Sequence, residues 1–319
     1  MQPLPAVAAA GPLPIVVLTA QLAVIATAAF AGGSSLTLLS LGHRRMQVLL
    51  SITGGILLGV GMLHLLPHAF LEFDKRIDTT MLWVVTGFFL MFLLERAFHG
   101  HSHHTADGGE SGEPSSCGHD HCHDHDHRHD HPHSIPTSAA AGRWAWCGAF
   151  AGLALHSLAD GAALAASVQA DGEHGVGWLA GFATFLAVLL HKPFDAAIIG
   201  TLMMRSGLSS GSRRMVNALY AVVVPLGSVL FLASLKLYGG DHGPVLGAAL
   251  ALAAGAFVCI AAADLLPEVQ FHSHDRVLLT TSLALGLAIA WGITVLEKSS
   301  HAHAHGHARI QAGGDHAAP

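Results

Sequence analysis

Long apolar stretches alternate with short polar ones along almost the whole chain, and the stretches carry no two-residue alternation of the kind a lipid-facing strand needs. Eight of them approach or exceed the roughly 20 residues that cross a hydrocarbon core as a helix. They predict spans at 14–39, 47–70, 81–98, 144–168, 177–204, 216–235, 245–266 and 277–296. The predicted class is therefore an all-α integral membrane protein of eight transmembrane helices. Composition agrees, since 52% of the 319 residues are apolar and 11% charged, where a soluble domain carries about 25% charged residues. The first stretch, Pro14 to Leu39, has no Lys or Arg before it and is too long for a cleaved signal segment, so it is expected to stay as the first span.

An even number of spans puts both termini on one side. Arg44, Arg45, Arg96, Arg128, Arg143, Arg205, Arg213, Arg214 and Arg276 fall on one face; Lys75, Arg76, Lys236, Lys298 and Arg309 fall on the other. Positive charge favours the cytosol, so both termini are expected outside and the long segment between spans 3 and 4 inside. The Ala/Gly-rich composition leans toward a bacterial inner membrane. Cys147 and Cys259 lie in apolar runs while Cys117 and Cys122 lie in a polar loop, a scatter that sketches no disulfide framework.

By this reading the chain divides into spans 1–3 (1–98), a polar loop (99–142), spans 4–5 (143–204), spans 6–8 (205–296) and a tail (297–319). The loop holds twelve histidines between His99 and His133, including His119, His121, His123, His125, His127, His129, His131 and His133 in one HDHCHDHDHRHDHPH run. The tail repeats the theme with His301, His303, His305 and His307. Such a loop is expected to be disordered without metal, and imidazoles at this density bind zinc, copper or nickel loosely and exchangeably. The tracts point to a transition metal without saying that it is transported.

Ionisable residues inside the spans say more, because each costs about 2.5–3.5 kcal/mol to insert at a helix centre. Span 4 reads LALHSLADG and places His156 and Asp160 four residues apart on one helical face. Span 5 repeats the spacing in HKPFD, with His191, Asp195 and Pro193 between them. The proline removes a backbone hydrogen bond and is expected to bend the helix. Two imidazoles and two carboxylates suit Zn²⁺ and tolerate Fe²⁺, Mn²⁺, Co²⁺ or Cd²⁺. The plain alternative is a pair of interhelical hydrogen-bond clamps. Lys192, about 100 degrees around the helix from His191, is expected to face away from these ligands or toward an adjacent subsite.

A second pattern relates span 2, ending GVGMLHLLPHAF, to span 7, ending CIAAADLLPEV. The two run in opposite directions, as in the inverted repeats of transporters whose substrate site lies near the midplane. His64, His68, Asp264 and Glu268 are then expected toward opposite ends of a transport path.

Taken together, HLLPHA in span 2, the His-rich loop, HSLADG in span 4, HKPFD in span 5, PLG at Pro225 to Gly227 in span 6 and DLLPE in span 7 make the chain resemble the ZIP (Zrt/Irt-like protein) family of zinc and iron transporters. The resemblance implies eight spans with both termini outside, metal flow toward the cytosol, no cofactor beyond the transported ion, and a homodimer in which a four-helix transport bundle moves against a rigid scaffold. Many members carry a two-metal site with His-Asn-x-x-Glu in the fourth span. Here Ser157 stands for the Asn, Lys192 for a second-metal carboxylate and Val224 for a glutamate of some members. The resemblance thus implies a single ion, with the Lys192 ammonium in place of the second. Two rivals share the ligands: a cation-diffusion-facilitator-like exporter, which has six spans and a soluble C-terminal domain, and an intramembrane zinc-dependent hydrolase, for which no spare central carboxylate is evident. No nucleic-acid partner is expected.

Overall fold

A computed structural model describes residues 12–34, 42–99, 139–173, 177–271 and 276–314. The described residues form helices and the short turns that join them. They are α1 (Pro12–Ser34), α2 (His43–Gly59), α3 (Leu66–Glu72), α4 (Ile77–His99), α5 (Ala139–Glu173), α6 (Phe182–Arg205), α7 (Ser210–Ala221), α8 (Val223–Tyr238), α9 (Gly243–Phe271) and α10 (Arg276–Gly314). Eight helical segments are long and apolar enough to cross a membrane. Two of them are compound. The second span joins α2 to α3 through a π-helical turn, Val60–Leu65, and the sixth joins α7 to α8 at Val222.

The predicted spans match these segments to within a few residues, with two larger differences. Span 1 ends at Ser34, and its expected extension to 39 falls on residues outside the description. Span 6 begins at Ser210 rather than 216, because Ser209 caps the amphipathic α7 by accepting from the Ser212 amide at 3.2 Å. Pro67 lies just past the π-helical turn, and the helix runs on through it to Glu72. The His-rich loop from residue 100 to 138 lies outside the description.

Helix pairing carries the inverted repeat. Span 3 lies against span 7 and span 8 against span 2; span 4 lies against span 6 and span 1 against span 5. Exchanging 1 with 6, 2 with 7, 3 with 8 and 4 with 5 turns each of these pairs into another member of the same set. The match extends to single residues. In the span 3/7 pair, a Cβ on Gly87 or Gly255 would run into the carbonyls of Leu252 or Val84; in the span 2/8 pair, Gly286 and Gly55 meet Ile52 and Leu283 in the same way. Each contacted carbonyl is three residues before the partner glycine, in both pairs. Lipid offers helices no hydrophobic reward for associating, so backbone-to-backbone approach through small residues supplies the packing. Spans 2 and 7 are the most buried, while spans 3 and 8 present Leu82, Val85, Trp291 and Val295 outward.

Candidate metal centre

Antiparallel α5 and α6 hold the candidate ligands face to face, and the four-residue spacings bring each His over its own Asp. Asp160 Oδ2 is the hub. It lies 3.3 Å from His156 Nε2 and 3.3 Å from His191 Nε2, with the two rings 5.4 Å apart between centroids. Asp195 Oδ2 stands farther out, 3.8 Å from His156 Nε2 and 4.0 Å from His191 Nε2. His156, Asp160 and His191 are buried and offer ligand atoms within 4.8 Å of one another, a spread one ion can close.

The tautomer of His191 is set by the backbone. Its Nδ1 lies 2.7 Å from the Ala187 carbonyl, which only accepts, so Nδ1 carries a proton; Nε2 faces the site 3.3 Å from Asp160 Oδ2, and the neutral ring would offer its lone pair there to an ion. His156 Nδ1, by contrast, is buried without a hydrogen-bond partner.

Lys192 corrects one expectation. It faces neither away nor into a separate subsite: its Nζ enters between the two carboxylates, touching Asp160 Oδ2 and lying 3.1 Å from Asp195 Oδ2. Its Cα does leave the His191 face, but the four-carbon stem is long enough to curl back, and Asp160 and Asp195 receive the buried ammonium there. Ser157 does not reach the ligands. Its hydroxyl donates to the Leu153 carbonyl at 2.6 Å and stands 3.0 Å from Tyr220 Oη, which itself donates to Asp195 Oδ2 at 3.4 Å. Val224 is buried at the α5/α8 contact, its carbonyl against Gly161. Tyr220 was not anticipated, although a phenol inside a span needs a polar partner.

A second cluster forms around two of the path residues. The π-helical turn directs His64 inward, and His64 and His68 meet Asp171 near the end of α5. His64 Nε2 lies 3.1 Å from Ser167 Oγ and 3.9 Å from Asp171 Oδ2, and His68 Nε2 lies 3.5 Å from Asp171 Oδ1. Glu297, assigned from sequence to the tail, is buried on α10 with Oε2 3.0 Å from His64 Nδ1. Asp264 and Glu268 belong to α9, which continues through Pro267, but the description does not extend to their side chains.

Comparison with known proteins follows the same lines. The family model described as ZIP Zinc transporter matches residues 15–296. Zinc transporter ZIP1 of Mus musculus is 25% identical over 275 residues, 80% of each chain. Zinc transporter ZIP9-B of Xenopus laevis is 30% identical over 130 residues, covering 39% of this chain and 41% of that one. Zinc transporter ZIP1 of Homo sapiens is 28% identical over 145 residues, 46% and 42%.

Proposed function

Because the chain belongs to the ZIP zinc transporter family, whose members are transporters and not enzymes, we propose that this protein carries zinc toward the cytosol through one central site made by His156, Asp160, His191 and Asp195. The observation that carries this reading is the convergence of two imidazole Nε2 atoms on one carboxylate oxygen, at 3.3 Å each, from two antiparallel spans. Two imidazoles and a carboxylate with ligand atoms within 4.8 Å of one another are the donor set that one zinc ion needs. The site is mononuclear, and Lys192 supplies the positive charge a second ion would bring. The donor set also takes Fe²⁺, Mn²⁺, Co²⁺ and Cd²⁺.

Orientation follows the Lys/Arg bias, with both termini outside and the His-rich loop 99–142 as a cytosolic acceptor of released ions. The outward faces of spans 3 and 8 leave room for a second copy, in keeping with a homodimer, and composition favours a bacterial inner membrane. The exporter reading has the wrong span number, eight rather than six.

The decisive experiment is ⁶⁵Zn uptake into proteoliposomes with sidedness assigned, comparing the natural protein with Asp160→Ala and His191→Ala at matched incorporation. Loss of uptake in both variants is expected. Uptake persisting in both would place the path elsewhere, and wild-type vesicles that bind zinc without accumulating it would end the transport reading.

A further inference from the structure

We propose that His64, His68 and Asp171 form a second divalent-metal site, with Glu297 as its positioning carboxylate, at the ends of spans 2 and 4 remote from the His-rich loop. It stands apart from the central site: Asp171 follows Asp160 by eleven residues on α5, a rise of about 16 Å at 1.5 Å per residue.

The geometry is that of a built site. The two rings are 4.7 Å apart between centroids; His68 Nε2 lies 3.5 Å from Asp171 Oδ1, and His64 Nε2, hydrogen-bonded to Ser167 Oγ at 3.1 Å, lies 3.9 Å from Asp171 Oδ2. The Glu297 carboxylate stands 3.0 Å from His64 Nδ1 as an ionic contact rather than a hydrogen bond, so it brings negative charge to the back of this ring where the Ala187 carbonyl fixes the proton of His191.

The plain alternative is that the two acids serve only the start of α6. They do serve it. Asp171 Oδ2 accepts from the Gly181 amide at 2.7 Å, a contact that the left-handed backbone of Gly181 (φ +68°) sets up, and Glu297 Oε1 accepts from the Ala183 amide at 3.3 Å. Yet each acid spends one oxygen on the helix end and turns the other to an imidazole. The helix amides therefore orient the carboxylates without using them up. Two imidazoles and one carboxylate again select zinc-like ions over Mg²⁺ or Ca²⁺.

His68 is the most open member, with 18% of its side chain exposed, so an ion reaches this site without passing the central one. Between the two sites lie Ser167 and Thr184, hydrogen-bonded at 2.9 Å, which give a partly dehydrated ion oxygen ligands on the way. The assignment of this site as a loading station for uptake rests on the transport reading above; its existence as a binding site does not.

The test is zinc stoichiometry on the full chain in nanodiscs, titrated against a competing chelator strong enough to strip the loosely held loop and tail ions. His68→Ala is expected to bind one zinc fewer than the natural protein, His191→Ala one fewer, and the double variant two fewer. His68→Cys, which replaces an imidazole by a thiolate ligand, is expected to restore the lost ion, and Glu297→Gln to weaken it roughly tenfold by removing the negative charge beside His64. His68→Ala with unchanged stoichiometry beside a loss in His191→Ala would overturn the second site and leave the central one standing. A loss in His68→Ala that His68→Cys fails to restore would also overturn it, since a structural contact and not a ligand would then have been removed. Unchanged stoichiometry in His191→Ala with a loss in His68→Ala would support the second site and count against the central one.

Discussion

Replacing Lys192 by Met keeps the volume of the side chain and removes its ammonium, leaving Asp160 and Asp195 facing one buried space with two imidazoles and the Tyr220 hydroxyl beside them. Removing one partner of a buried ion pair costs about 3–5 kcal/mol. Protonation of His156 or His191 at 3.3 Å from Asp160 recovers part of that, so the lower end, about 3 kcal/mol, is the expected destabilisation of the metal-free protein. The zinc-bound protein is not penalised, because the ion takes over the charge that Lys192 supplied. Relative to its own metal-free state the variant therefore binds zinc more tightly by about 3 kcal/mol, or roughly a hundredfold. Tighter binding has a kinetic consequence, since an ion must also leave. Uptake by Lys192→Met is expected to saturate at lower zinc and to run at a lower maximal rate. The assay pairs thermal unfolding in detergent, with zinc and with chelator, against an uptake curve, and Lys192→Arg serves as the charge-preserving control. Unchanged unfolding without metal, together with zinc affinity within about threefold of the natural protein, would refute the placement of the ammonium between the two carboxylates.

Two further outcomes are expected. Ligation needs neutral imidazoles and ionised carboxylates, and zinc binding displaces protons. Uptake measured at fixed free zinc should therefore be high at pH 7.5 and lower at pH 5.5; a flat profile would contradict a site with two histidine ligands. Tyr220→Phe removes the donor that reaches Asp195 Oδ2 at 3.4 Å while leaving the ring packed against Phe150. A loss of about 1 kcal/mol, less than tenfold in zinc affinity, is expected in a binding titration; loss of all binding would make Tyr220 a ligand rather than a positioning residue.

The spans were legible because lipid imposes one rule on every segment that crosses it, and apolar runs of the required length have no other explanation. The HxxxD pairs were legible for a similar reason: four-residue spacing fixes a common face whatever else the helix touches. What escaped the sequence depends on partners far away in the chain. Lys192 was placed by the angle of its Cα, while its head group is placed by Asp160, thirty-two residues earlier. Asp171 and Glu297 look like ordinary charges at the ends of apolar runs, and only the start of α6 shows why they are buried. His64 would turn differently on an unbroken α-helix; the π-helical turn Val60–Leu65 shifts its register, and such single-turn widenings recur at functional sites.

The repeat explains why the centre holds two matching pairs and why it is nonetheless asymmetric. Exchanging spans 4 and 5 lays His156 on His191, Asp160 on Asp195 and Ser157 on Lys192. The scaffold obeys the same exchange: Gly227 of span 6 packs on the Leu158 carbonyl and Gly32 of span 1 on that of Pro193, each two residues past its histidine. Ser157 and Lys192 therefore occupy equivalent seats with opposite consequences. The short hydroxyl turns back to the Leu153 carbonyl and Tyr220, while the long ammonium crosses to both acids. A symmetric site with two small polar residues would leave two carboxylates free to share a pair of ions. Here one of the two seats already carries a tethered positive charge, so the fold repeats itself but its central His/Asp cluster does not. That single break in symmetry is the physical basis of the proposed single-ion site.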